Sequence, residues 1–240
     1  MRSVKLEWDS AFFGMQVDAV SVTGSDSAQS LSDRLQHEVA RLTYVFFDPQ
    51  HAEGDDLRRI LHAAGGLPYG TRALYRKTMD ESWESVGGAS CRAVTKTPAL
   101  EALAYVSGGC SRFLRDPGLA PSFRRLYGTW LDKEFARGQV FVRPDAAAPK
   151  GMVTVSVTEA GSGKIGLMAV DACCRGKGIG TSLMQDAESW LRQRGVTACE
   201  VVTQGENTGA CALYEKCGFI LASTTEIWHV WRSEQKGKSL

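Results

Sequence analysis

Apolar and polar positions divide the chain into two runs of strand-like and helix-like segments. In the first, residues 17–22 read as a strand, and Leu31, Leu35, Val39 and Leu42 recur at a helical beat. Residues 42–47 form a short apolar strand closed by Asp48-Pro49. Leu57, Ile60, Leu61 and Ala64 predict a second helix, stopped by Gly65-Gly66, and residues 71–78 alternate as another strand. The acidic, glycine-paired stretch 80–89 has the composition of a linker. It divides the chain into a small N-terminal α/β domain, 1–88, and a larger domain, 89–240.

The second run is more varied. Residues 91–96 read as a strand, and Pro98 opens a helix carrying Leu100, Leu103 and Ala104. Pro121 starts a longer helix whose stripe is Phe123, Leu126, Tyr127, Trp130, Leu131 and Phe135, ended by Gly138. Strands follow at 139–143, 151–158 and 163–170. After them come a loop and helix over 175–194, a strand at 198–203, a helix at 207–217, and two closing strands at 219–223 and 225–232.

Chemistry concentrates where strand 163–170 turns into a helix. Gly176, Gly178 and Gly180 alternate there, so backbone N–H groups can converge on one point at a helix N-terminus. Arg175 and Lys177 add positive charge. Bare amides, a helix N-terminus and two cations together suit a pyrophosphate. A P-loop does not fit, because Thr158 stands at the first glycine position and Ile165 follows Lys164. A dinucleotide fingerprint fails too, since Thr181 occupies its third glycine and Thr203, not an acid, ends the next strand.

The form Arg175-x-x-Gly178-x-Gly180 resembles the acetyl-CoA motif of the GNAT superfamily of N-acetyltransferases. A second stretch, Asn207-x-x-Ala210-x-x-x-Tyr214-x-x-x-Gly218-Phe219, is similar to the other signature of that family. Asn207 suits a helix N-cap and Gly218 a helix stop. The resemblance implies an α/β (α+β) fold with a mixed central sheet flanked by helices, preceded here by the smaller domain. It implies acetyl-CoA as co-substrate, held by Met168, Ala169, Val170, Arg175, Gly176, Lys177, Gly178, Ile179, Gly180, Thr181, Asn207 and Tyr214. It also implies direct transfer within a ternary complex, with backbone amides near 168–170 polarising the thioester carbonyl. Tyr214 would act as general acid toward the departing thiolate; a phenol is protonated at neutral pH, with an ordinary pKa near 10. The chemical rival, a ping-pong route through one of the cysteines, lacks a histidine beside any of them.

Composition narrows the partners. Lys and Arg total 28 against 27 Asp and Glu, so no global field draws the chain to nucleic acid. No apolar run is long enough for a membrane span, and Glu7 and Asp9 stand where a signal peptide needs an apolar core. Seven cysteines, without Cys-x-x-Cys spacing, read as free or buried thiols in a reducing cytoplasm. Adjacent Cys173 and Cys174 are too cramped for an ordinary bridge. The four histidines stand apart from Cys and acid clusters, so no metal site is expected.

Residues 6–14, containing Trp8, Asp9, Ser10, Phe12, Phe13 and Gly14, resemble the opening of bacterial dTDP-fucosamine acetyltransferases, which act in assembly of surface glycans such as enterobacterial common antigen and lipopolysaccharide. The resemblance implies dTDP-4-amino-4,6-dideoxy-D-galactose as acceptor, with Trp8, Asp9 and Phe12 in its site. The residues themselves allow equally that this segment packs between domains. Arg72, Arg76, Arg112, Arg115, Arg124 and Arg125 are available to a sugar-nucleotide diphosphate. No base stands out, although Asp9 and Glu206 carry carboxylates. A protein, polyamine or antibiotic amine remains an alternative acceptor, a non-catalytic acyl-CoA-sensing module is the rival class, and the oligomeric state is open, a homodimer included.

Overall fold

A computed structural model describes residues 1–79 and 90–232. The expected linker at 80–89 lies outside the described residues. Along the chain the elements are β1 (Arg2–Lys5), α1 (Glu7–Phe13), β2 (Val17–Ser21), α2 (Ala28–Gln36), β3 (Leu42–Phe47), α3 (Gly54–Ala63), β4 (Leu67–Thr78) and β5 (Cys91–Ala93). Then follow α4 (Pro98–Ser107), α5 (Arg112–Arg115), α6 (Phe123–Arg137), β6 (Gly138–Arg143), β7 (Gly151–Val157) and β8 (Gly163–Val170). Helix α7 (Ile179–Arg192), β9 (Ala198–Gln204), α8 (Thr208–Lys216) and β10 (Ile220–Trp231) complete the order.

Two compact units result. Met1–Arg72 forms one with the chain from Thr224, and Ala73–Ser223 forms the other. The C-terminal stretch thus belongs with the N-terminal residues, whereas the sequence reading placed all of 89–240 together. One local expectation also changes, and one element appears that the sequence reading did not assign. Residues 220–231 make one strand instead of two, because neither Gly nor Pro interrupts them and Thr224 and Thr225 are β-branched. Residues 7–13 form a helix, with Gly14 in the left-handed conformation ending it.

In the first unit the strand order is β1-β2-β3-β10-β4, with β2 and β3 parallel, β1 antiparallel to β2, and β10 antiparallel to β3. Leu31 and Leu35 of α2 and Leu57 and Leu61 of α3 bury against Val45, Phe47 and Trp228. Ser27 caps α2, its side chain accepting from the Ser30 amide.

In the second unit the order is β4-β9-β8-β7-β6-β5. Strands β5 to β8 run antiparallel in sequence, and β8 pairs β9 in parallel. Leu183, Ala187 and Leu191 recur along α7 and pack on Val153, Val155, Ile165 and Val201. A bulge between Val153 and Val155 breaks the β7–β8 register. There Thr154, fully buried, accepts the Leu167 amide on its hydroxyl oxygen at 2.8 Å. Most consequential is where β8 and β9 part. Their last pair is Ile165 with Val201, although β8 continues to Val170 and β9 to Gln204. Past that pair the two strands diverge.

Candidate active site

The divergence opens into a cleft of about 550 Å³ within the second unit. The far end of β8 supplies one wall through Met168, Ala169 and Val170. The turn after it supplies Arg175, Gly176 and Gly178, and the start of α7 supplies Ile179, Gly180 and Thr181. A third wall is α8 with its cap, through Asn207, Gly209, Leu213 and Lys216. Val106 and Ser107, ending α4, and Cys110 close the remaining side.

Local sequence explains the turn. Asp171 accepts the Cys173 amide on its side chain and the Cys174 amide on its carbonyl, at 3.2 and 2.9 Å, tightening a 3₁₀ turn. The Cys173 side chain and then its amide hold the Asp171 carboxyl below its ordinary range, with Lys150 adding to the effect. Gly178 sits at φ 79° as the N-cap of α7, a conformation costly for any residue with a Cβ. Gly180 meets Leu213 and Met168 so closely that an added Cβ would lie 3.2 to 3.4 Å from their side chains. The first acceptor inside the helix is the Gly178 carbonyl, which takes the Ser182 amide at 3.0 Å. The amides of Ile179, Gly180 and Thr181 therefore have no partner within α7 and face the cleft at the positive end of the helix dipole. With Arg175 and Lys216 beside them, they fit a pyrophosphate.

Ten of the twelve residues expected around acetyl-CoA are thus walls of one cleft: Met168, Ala169, Val170, Arg175, Gly176, Gly178, Ile179, Gly180, Thr181 and Asn207. Asn207 also caps α8, accepting the Ala210 amide at 3.3 Å. Lys177 is exposed and outside the walls. Tyr214 is outside them as well. It is 4% exposed, on the face of α8 turned to the core, with ring centroids 5.9 Å from Tyr75 and 6.2 Å from Phe219. Burial pushes its phenol up, so it stays protonated across the working pH range. Tyr75, also raised chiefly by burial, donates to Glu215 at 2.9 Å.

Lys216, Leu213 and Gly209 are cleft residues that motif reading missed; their signal was the helical spacing that sets them one turn apart on α8. Trp8, Asp9 and Phe12 lie on α1 of the first unit, where Trp8 and Phe12 stack at 5.0 Å and 17°. Among the described residues no group of His, Cys, Asp or Glu could hold a metal ion, and no helix is long and apolar enough to cross a membrane. All seven cysteines are free.

This arrangement of sheet, splayed strands and glycine-turned helix is the GNAT fold, and residues 111–219 match the model of the Acetyltransferase (GNAT) family. The matched residues all fall within the second unit. Over 65 residues the chain is 42% identical to a mycothiol acetyltransferase of Beutenbergia cavernae, covering 27% of this chain and 22% of that protein. Over 95 residues it is 30% identical to a streptothricin acetyltransferase of Escherichia coli, covering 40% of this chain and 47% of that protein. The chain thus spans less than half the length of these relatives. In fold it is similar to a GCN5-related N-acetyltransferase from Sphaerobacter thermophilus, with a TM-score of 0.52 and 18% identity, covering 85% of this chain and 66% of that one.

Proposed function

We propose that this protein transfers the acetyl group of acetyl-CoA to a primary amine. The observation that carries the reading is the cleft at the β8–β9 divergence, where unpaired amides of α7 and the cations Arg175 and Lys216 meet. These residues would hold the cofactor's pyrophosphate, and its thioester supplies the acetyl group. Backbone amides at the free edge of β8, near Met168 to Val170, would polarise the thioester carbonyl. Attack by the amine forms the C–N bond as the C–S bond breaks, and Tyr214, kept protonated by burial, gives its proton to the thiolate.

For the acceptor, the Trp8–Gly14 segment supports a dTDP-4-amino-4,6-dideoxy sugar, as in surface-glycan assembly, bound in part by Trp8, Asp9 and Phe12. Binding energy from thymidine and diphosphate, remote from the amine, would orient it. The relatives named for mycothiol and streptothricin support a second reading, the amine of another small molecule. A thiol-release assay with dTDP-amino sugars, streptothricin, polyamines and peptides decides. The expected result is turnover of the dTDP-sugar, reduced by Trp8→Ala with Phe12→Ala while acetyl-CoA binding and melting temperature hold. Turnover of streptothricin or a polyamine alone would reject the sugar reading, and inertness toward every amine would reject acetyl transfer.

A further inference from the structure

Helix α6 crosses the sheet with one side chain that its surroundings leave incomplete. The Oε2 atom of Glu134 is shut off from solvent and has no hydrogen-bond partner among the described residues. Its place is specific. A Cβ added to Gly166 would lie 2.8 Å from Glu134 Cδ and 2.8 Å from Oε2, so the carboxylate rests directly on the β8 backbone, in space that only a glycine leaves open. Gly166 is the first residue past the last β8–β9 pair. Side chains two apart on a strand share a face, so Gly166 shares one with Met168 and Val170, both cleft walls. Neither Gly166 nor Glu134 lines the cleft itself; the carboxylate sits behind the wall, two residues along β8 from Met168 and on the same face.

Glu134 as a whole is half-buried, but its Oε2 has neither solvent nor a donor, and an inaccessible carboxylate oxygen is costly unless something completes it. This chain brings no cation to Glu134: none of its ion pairs among the described residues involves that side chain. The missing partner must be cationic, carry N–H donors, and arrive beside the open edge of β8. A primary ammonium group meets all three conditions. We propose that Glu134 receives the acceptor as its ammonium and takes the proton that frees the nucleophile, an inference that rests on the acetyl-transfer reading above. One ammonium proton passes to Glu134 Oε2. The amine lone pair then attacks the thioester carbon, the C–N bond forms and the C–S bond breaks. The sulfur takes the Tyr214 proton, the second nitrogen proton returns to the Tyr214 oxygen as the amide forms, and Glu134 releases its proton to solvent.

Glu134→Gln tests this because it keeps the shape and removes the charge. With the best amine of the panel, kcat/KM should fall about 10²–10⁴-fold, while calorimetric acetyl-CoA affinity stays within twofold. The variant's residual rate should climb with pH until the free amine predominates, whereas the wild type reaches its plateau earlier. Its melting temperature should equal or exceed that of the wild type, since an uncompensated charge has been removed. Gly166→Ala, whose Cβ would meet Thr154 Oγ1 at 2.5 Å as well as the carboxylate at 2.8 Å, should lower kcat/KM in the same direction and also lower the melting temperature, which Glu134→Gln does not. A Glu134→Gln enzyme within threefold of wild type, with an unshifted pH profile, would overturn the role of Glu134 and leave acetyl transfer standing. Wild-type inertness toward every amine would overturn both.

Discussion

Glu38 in the first unit and Glu134 in the second are the same residue with opposite surroundings. Glu38, 2% exposed, accepts the amides of Val39 and Ala40 at 2.8 and 3.1 Å and pairs with Arg34 at 2.8 Å. Two amides sit on its Oε1, while its Oε2, which takes no hydrogen bond, is answered by the Arg34 ion pair, and it closes the end of α2. Glu134 has an inaccessible oxygen and no such donor. Burial alone therefore says little about what a carboxylate is for. The number of donors supplied internally separates a carboxylate that holds structure from one left open to a ligand.

Three measurements can break or sharpen that contrast. The largest effect is expected at Tyr214, whose hydroxyl is buried beside Tyr75 and Phe219. If it acts as the acid it belongs with Glu134, and Tyr214→Phe should cut kcat about 10²–10⁴-fold with little change in the KM for acetyl-CoA. A kcat within threefold, measured while chemistry limits turnover, would leave the core-packed Tyr214 with no part in the proton transfer. Next is Glu38→Ala, which strands two amides and removes the shorter of the two carboxylate contacts of Arg34. It should cost about 3 kcal/mol in denaturant unfolding and leave calorimetric acetyl-CoA affinity unchanged; a stable variant with weakened cofactor binding would collapse the distinction. Smallest is Gly178→Val, which forces a β-branched residue into a positive-φ N-cap at the cleft. Acetyl-CoA affinity should drop at least tenfold, about 1.4 kcal/mol. Unchanged affinity in a folded variant would move the cofactor away from this turn.

How much of this could be read from the sequence depended on how local each feature is. The turn at 175–181 was legible because strand, glycines and helix are contiguous, and Asn207 because an N-cap acts within three residues. Lys177 sits in the same motif yet is exposed and not among the cleft walls. Tyr214 shows the limit of a motif: the pattern names the residue, but only the packing of α8 shows that its ring is in the core. Glu134 was invisible as a site residue because its partner strand lies well downstream. A signal did exist. It falls on the apolar stripe of α6, two turns beyond Tyr127 and one beyond Trp130 and Leu131, where a charged residue breaks the pattern. The unit boundary was equally non-local, since it depends on which strands Thr224 and its successors join.

The unpaired amides of α7 also have a kinetic meaning. A backbone proton with no internal acceptor has no helix hydrogen bond to break before it exchanges with solvent. Ile179, Gly180 and Thr181 should thus trade hydrogen for deuterium quickly, while Leu183 and Met184, one turn further and buried, trade slowly. The start of this helix is, in the free protein, a row of labile protons beside rigid ones, and an anion seated there would be registered first as their slowing.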